Sequence, residues 1–230
     1  MASASLWFRD FLDLFSPRHC AVCGARLNAT ERELCGSCLL ELPYVACADF
    51  YDNPTARRLW ENVPVERAHS LFYYRPDSDS HLLLVRLKYE HRPELGRWAG
   101  CFMADTLLPY GFFDGVEAIV AVPLHWRRQW QRGYNQSLLL ARGISEVTGL
   151  PVLRGWVRRV RNNETQTHKS PAERIRNVEN LFRSRPGMPC RHVLLVDDVL
   201  TTGATLTACA RAMVAANPHL RVSVLTLARP

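Results

Sequence analysis

The stretch Val193 to Thr205 sets chemically capable residues at fixed offsets: Val-Leu-Leu-Val-Asp-Asp-Val-Leu-Thr-Thr-Gly-Ala-Thr. Its four leading apolar residues suit a strand buried on both faces. Asp197 and Asp198 then emerge at the strand's carboxyl end, where open α/β sheets bind ligands. Carboxylates there can accept hydrogen bonds from two vicinal ribose hydroxyls, directly or through the shell of a Mg²⁺ ion. The following residues, Thr201, Thr202, Gly203, Ala204 and Thr205, open a helix whose free N–H groups and positive dipole end attract a phosphate. Gly203 allows close backbone approach, and the threonines add short hydroxyl donors. One Asp before a helix would signal only a cap. Two acids, three threonines and a glycine in this order point to a sugar phosphate.

A second constellation lies near the N-terminus. Cys20, Cys23, Cys35 and Cys38 form two C-x2-C pairs separated by eleven residues. Each pair can present two sulfurs from a tight turn, and two pairs close a tetrahedral thiolate site, so the spacing predicts one structural zinc. Gly24 and Gly36 are expected to supply positive φ in the two knuckles. Two disulfides or four idle thiols are the competing reading, and disulfides are disfavoured in a reducing compartment. His19 reads as an exposed neighbour, and Cys47, Cys101, Cys190 and Cys209 as ordinary small apolar residues.

The rest of the chain must position these groups. Its 230 residues, 47% hydrophobic, allow one good-sized domain and a small module. Residues 1–45 read as an N-terminal amphipathic helix plus zinc ribbon, 46–67 as a linker, and 68–230 as the main domain. Strands are expected at Ala68–Tyr74, Glu117–Val122, Val152–Arg159, His192–Val196 and Arg221–Leu227. Helices are expected at Ser80–Tyr89, Glu94–Leu108, Asn135–Thr148, Glu173–Asn180 and from the threonine loop to Ala216. Leu124–Gly133 and Arg161–Ala172 read as loops. The alternation of strand and helix implies a mostly parallel α/β sheet. No apolar stretch reaches membrane-spanning length, and Asp10 and Asp13 interrupt what would be a signal peptide's apolar core, so a cytoplasmic protein is expected.

The net charge of +7 is uneven: residues 124–192 carry 13 Arg, one Lys and four Glu. That face suits phosphates, on a small ligand or on nucleic acid. Trp126, Trp130, Tyr134 and Trp156 are interleaved with it, where they serve either base stacking or core packing. Lys88 and Lys169 are the two lysines among 29 basic residues, so arginine is preferred throughout.

The 193–205 segment resembles the phosphoribosyl-pyrophosphate signature of type I phosphoribosyltransferases. The wider chain resembles the ComF family of competence-associated proteins, including GntX-type DNA-utilisation proteins. The features are the paired C-x2-C motifs, Val-Pro-Leu-His at 122–125, Arg132-Gly133-Tyr134-Asn135-Gln136, Arg161 to Gln166, Glu173-Arg174 with Asn177-Val178, and the final Val196–Thr205 block. The resemblance implies a type I phosphoribosyltransferase-like α/β fold, a mostly parallel sheet flanked by helices, with a small four-cysteine zinc ribbon. It implies that Asp197 and Asp198 hold the ribose hydroxyls of phosphoribosyl pyrophosphate with Mg²⁺, and that Thr201 to Thr205 hold the 5′-phosphate. Pyrophosphate would fall to Leu124–Trp126, with Arg127, Arg128 or Arg132 near. A closing loop at 161–172 would bring Arg161, His168 and Lys169 to the reacting centre; plain solvent exposure is the other reading of that loop. The expected role is ligand binding linked to uptake or use of exogenous single-stranded DNA, with DNA and a helicase or uptake machinery as partners. No nucleobase-recognition signature accompanies the site, so the alternative, a transferase joining a nucleobase-like acceptor to phosphoribosyl pyrophosphate, stays open.

Overall fold

The computed structural model describes residues 17–46, 49–76, 78–90, 92–160 and 181–230, Arg128 by its backbone alone. In chain order the elements are α1 (Gly36–Glu41), α2 (Pro54–Trp60), β1 (Ala68–Tyr73), α3 (Asp79–Tyr89), α4 (Pro93–Leu107), β2 (Ala118–Ala121), α5 (Trp126–Arg132), α6 (Gln136–Thr148), β3 (Val157–Arg159), β4 (Phe182–Ser184), β5 (His192–Val199), α7 (Ala204–Ala216) and β6 (Arg221–Arg229). The main sheet is entirely parallel, in the order β1-β6-β5-β2.

The two central strands carry the longest apolar runs because both of their faces are covered. Leu194, Val196, Leu225 and Leu227 meet α4 and α6 on one face. Val193, Leu195, Val222 and Val224 meet α2 and α7 on the other. Parallel pairing of β2 with β5 puts their carboxyl ends side by side, and the candidate site opens there. Gly149, at φ +74°, ends α6 as the sequence suggested.

Helices α4 and α6 approach unusually closely. A methyl group at Gly100 would collide with the backbone carbonyl of Leu140, and one at Gly143 with that of Arg97. The approach matters for function because α6 carries Gln136 and Ser137 to the site. Gly143→Ala therefore cannot be accommodated by side-chain adjustment, and must push backbone against backbone. We expect a loss of at least roughly 1–3 kcal/mol, the usual cost of overpacking a core, read as a lowered midpoint in urea unfolding. An unchanged midpoint would contradict this helix contact.

Several local expectations are corrected. Residues 46–67 are not a plain linker: Asn53 caps α2 by accepting from the N–H groups of Thr55 and Ala56, and Ala56 and Leu59 are buried. Leu124–Gly133 is not a loop. His125 and Gly133 (φ +76°) bracket α5, whose two tryptophans stay exposed, so no buried stripe advertised the helix. Val152–Arg159 is broken at Gly155 (φ +75°): Val152 bridges Ile119 in parallel, whereas β3 pairs antiparallel with β4. Gly36 does not adopt a positive-φ knuckle and instead begins α1, while Gly24 does, at φ +74°. The expected N-terminal helix, the 161–172 loop, the 173–180 helix and Cys47 lie outside the described residues. No helix among the described residues is long and apolar enough to cross a membrane.

Candidate functional site

Asp197 and Asp198 sit where β5 leaves the core. Asp197 Oδ1 accepts from Ser137 Oγ at 2.8 Å and from the Asp198 N–H at 3.0 Å. Asp198 Oδ2 lies 3.3 Å from the Lys88 ammonium. Burial, reinforced by the neighbouring Asp198 carboxylate, pushes the Asp197 carboxyl up to about 7. The pair is thus divided. Asp197 resists ionisation and is clasped by protein donors, while Asp198 faces the Lys88 ammonium.

The phosphate-loop candidates follow directly. Gly203 takes φ +80° and begins α7 without contributing a side-chain cap. A methyl group there would make only ordinary contacts with Leu59, Leu200 and Arg58, so the backbone angle, not space, demands glycine. Thr202 Oγ1 accepts weakly from the Ala204 N–H, at 3.4 Å. Thr201 and Thr205 line a cavity of about 500 Å³ that also contains Asp197 and Asp198. Thr202, Gly203 and Ala204 belong to the loop but are not among that cavity's lining residues.

Opposite walls come from elements whose role the sequence did not disclose. Helix α3 contributes Lys88 and Tyr89, and the start of α6 contributes Gln136 and Ser137. Asn135 fixes that start: its Oδ1 accepts from the Ser137 N–H, and its Nδ2 donates to the Val122 carbonyl at the end of β2. Gln136 is buried, its Oε1 accepting from Arg132, while its Nε2 donor is enclosed with no hydrogen-bond partner among the described residues. The Arg132 guanidinium also stacks over the Tyr89 ring. Of the expected pyrophosphate residues, Leu124 and Arg132 line the cavity. Arg127 instead stacks on Trp126 at 5.3 Å. Arg161, His168 and Lys169 lie outside the described residues.

The four cysteines converge independently of this cavity. The sulfurs of Cys20, Cys23, Cys35 and Cys38 all lie within 4.8 Å of one another, and Cys23 and Cys35 are 3.7 Å apart. A tetrahedral ion with bonds of about 2.3 Å needs sulfur separations of about 3.8 Å. Four thiols so arranged can hold a metal ion. Backbone N–H groups of Val22 and Cys35 point at the Cys20 sulfur, at 3.4 and 3.3 Å. Burial pushes that thiol up, but these N–H groups and that of Cys23 together outweigh it and bring it down to about 7. Burial raises the Cys38 thiol. His19 is exposed and outside the cluster.

This module is joined to the main sheet through its edge. Tyr44 bridges Phe72 of β1, the Val45 N–H donates to the Leu71 carbonyl, and the Tyr73 N–H to the Pro43 carbonyl. An Arg92–Glu33 ion pair at 2.6 Å ties it to the start of α4.

Comparison with known proteins agrees with this architecture. Residues 135–230 match the phosphoribosyl transferase domain family model. The chain is 43% identical over 203 residues to competence protein F of Haemophilus influenzae, covering 82% of this chain and 75% of that protein. It is 33% identical over 190 residues to the DNA utilization protein YhgH of Salmonella typhimurium, covering 81% and 80%. It is 36% identical over 230 residues to competence protein ComFC of Bacillus subtilis, covering 97% and 89%. An all-parallel sheet with the acidic pair at its carboxyl end, a four-cysteine module on its edge and these relatives agree on one assignment: the chain belongs to the ComF family of phosphoribosyltransferase-domain proteins.

Proposed function

We propose that this protein binds a phosphoribosyl ligand, phosphoribosyl pyrophosphate with Mg²⁺, and acts in the handling of imported single-stranded DNA. The observation that carries the reading is the meeting, in one cavity, of the Asp197–Asp198 pair with Thr201 and Thr205 at the opening of α7. Asp197 and Asp198 take the ribose hydroxyls, and Thr201, Thr202, Gly203, Ala204 and Thr205 the 5′-phosphate. The donor set suits a hard cation: Asp198 and the threonine hydroxyls offer only oxygen. Mg²⁺ would neutralise the pyrophosphate, and Arg132 would face the same charge from α5. Arg161, His168 and Lys169 keep their proposed role as cations of a closing loop, and the cysteine site is read as structural zinc. The DNA role is carried over from the relatives, a DNA utilization protein and two competence proteins.

The test is titration of zinc-loaded protein with phosphoribosyl pyrophosphate and Mg²⁺, then assay of pyrophosphate release across a nucleobase panel. Micromolar binding lost in an Asp197→Ala/Asp198→Ala variant that still folds is expected. Unchanged affinity in that variant would sink the site. Release with one base would favour the alternative, an active transferase.

The DNA reading has its own supporting observation. Trp126 and Trp130, 68% and 84% exposed, stand one turn apart on α5, with Arg127 stacked on the first ring. Exposed aromatics beside arginine suit base stacking and phosphate contact. Tyr134, by contrast, donates its hydroxyl to the Leu87 carbonyl and packs locally. A DNA-handling surface here requires that Trp126→Ala/Trp130→Ala weaken oligonucleotide binding without moving phosphoribosyl pyrophosphate binding.

A further inference from the structure

Lysine is rare in this chain, and its one described position is inside the cavity. Two of 29 basic residues are Lys, and one of them, Lys88, faces Asp198. Arginine stands almost everywhere else a cation is used. The exception has a physical reading. A guanidinium grips a carboxylate with a planar fork, whereas an ammonium is a compact, strongly hydrated point charge on a flexible stem. The pair is not an incidental surface contact, because its side chains are only 25% and 16% exposed.

The position also fits. Asp197 Oδ1 already accepts from Ser137 and a backbone N–H, whereas the Asp198 carboxylate meets a side-chain cation across the cavity. What it meets in the structure is Lys88. That residue lies in the last turn of α3. Helix α3 lies outside residues 135–230, the part matching the phosphoribosyl transferase domain model, so the first half of the chain supplies a charge to a site built by the second.

We propose that Lys88 is a positioning residue of the cavity: its ammonium is the resident counter-ion of Asp198, occupies the place of a divalent cation there, and has to leave before metal or ribose can bind. Free metal then binds poorly, and occupancy waits for a ligand that brings its own cation. The proposal rests on the reading of Asp198 as a metal or ribose ligand.

Mn²⁺ binding to zinc-loaded protein, with no organic ligand present and followed by the electron paramagnetic resonance of free Mn²⁺, tests it. Lys88→Met is expected to bind Mn²⁺ at least about tenfold more tightly than the parent, because attraction between Asp198 and the metal is no longer opposed by a fixed cation. Lys88→Arg is expected to bind no better than the parent. Adding Asp198→Asn to Lys88→Met should return the affinity to the parental level. Equal affinity in Lys88→Met and parent, or no detectable binding by either, overturns the proposal. A parallel titration of the parent with phosphoribosyl pyrophosphate separates the two readings. Tighter Mn²⁺ binding by Lys88→Met, with no phosphoribosyl pyrophosphate binding by the parent, would keep Lys88 as guard of a cation site and remove the phosphoribosyl assignment. The converse would remove Lys88 alone.

Discussion

Asp197→Asn is expected to make the ligand-free protein more stable at pH 8 while weakening phosphoribosyl pyrophosphate binding roughly ten- to hundredfold, the loss of one charge-assisted hydrogen-bonding group. The stability half of the prediction comes from linkage. Burial and the adjacent Asp198 raise the Asp197 carboxyl to about 7 in the fold, against an ordinary 3.8. Between those values the native state holds a proton that the unfolded chain has released, so this residue's contribution falls as pH rises through that window. Above about pH 7 the whole deficit is present. Asparagine keeps the carbonyl that accepts from Ser137 and from the Asp198 N–H, but has no charge to bury. The gain over the parent should be near zero at pH 4, grow through pH 5 to 7, and level off on the order of 2–4 kcal/mol. Urea unfolding of both proteins at pH 4, 6 and 8, in chelator-treated buffer, measures it. A variant no more stable than the parent at pH 8 would mean that Asp197 is not strained, and that its clasp by Ser137 is purely architectural. A stabilised variant that has lost its ligand would mark Asp197 as held for function at the expense of stability.

How much of this could be read from the chain depends on what each residue's role requires. The Val193–Val196 run, the acidic pair and Gly203 are legible because their meaning is local: a buried strand, its carboxyl end and one left-handed backbone angle lie within a dozen residues. The cysteines are legible because a tetrahedral site dictates spacing. Helix α5 was not, since Trp126 and Trp130 stay exposed and leave no buried periodic stripe. Strands β3 and β4 are three residues each, too short to show alternation, and pair with each other away from the main sheet. In the sequence Gln136 figures only in the Arg132–Gln136 feature of the family resemblance, and Ser137 has no assigned role. Their burial depends on partners outside α6, Arg132, Asn135 and Asp197, which no single segment announces. Lys88 had one sequence signal, its rarity beside 27 arginines. That signal acquires meaning only once α3 is seen to reach Asp198.

Loss of the metal is expected to be the largest single perturbation of the fold. We expect one zinc per chain by elemental analysis, and Cys38→Ser to lose it. Zinc-finger peptides draw about 10–16 kcal/mol from such sites at neutral pH; here part of that energy must hold a module that has little regular structure of its own. Between residues 17 and 46 the described secondary structure is α1 and isolated bridges. Yet Cys20, Leu27, Leu34, Cys38 and Leu42 are buried in the same hydrophobic cluster as Leu71, Phe72 and Leu95. Unfolding the module would therefore open the main core and bare the outer edge of β1, now covered through Tyr44 and Val45. An apolar edge so exposed invites pairing between chains. Cys38→Ser, or parent treated with a strong chelator, should thus lose amide protection first across residues 17–46 and along β1, and then aggregate on warming. The central strands β5 and β6 should stay protected longest, since α4, α6 and α7 still cover them. Protein that purifies without zinc in its reduced form, or a Cys38→Ser variant with parental protection along β1, would show that the four thiols hold this module without a metal. The edge of the sheet would then owe its cover to packing by Leu34, Leu42 and Tyr44 alone.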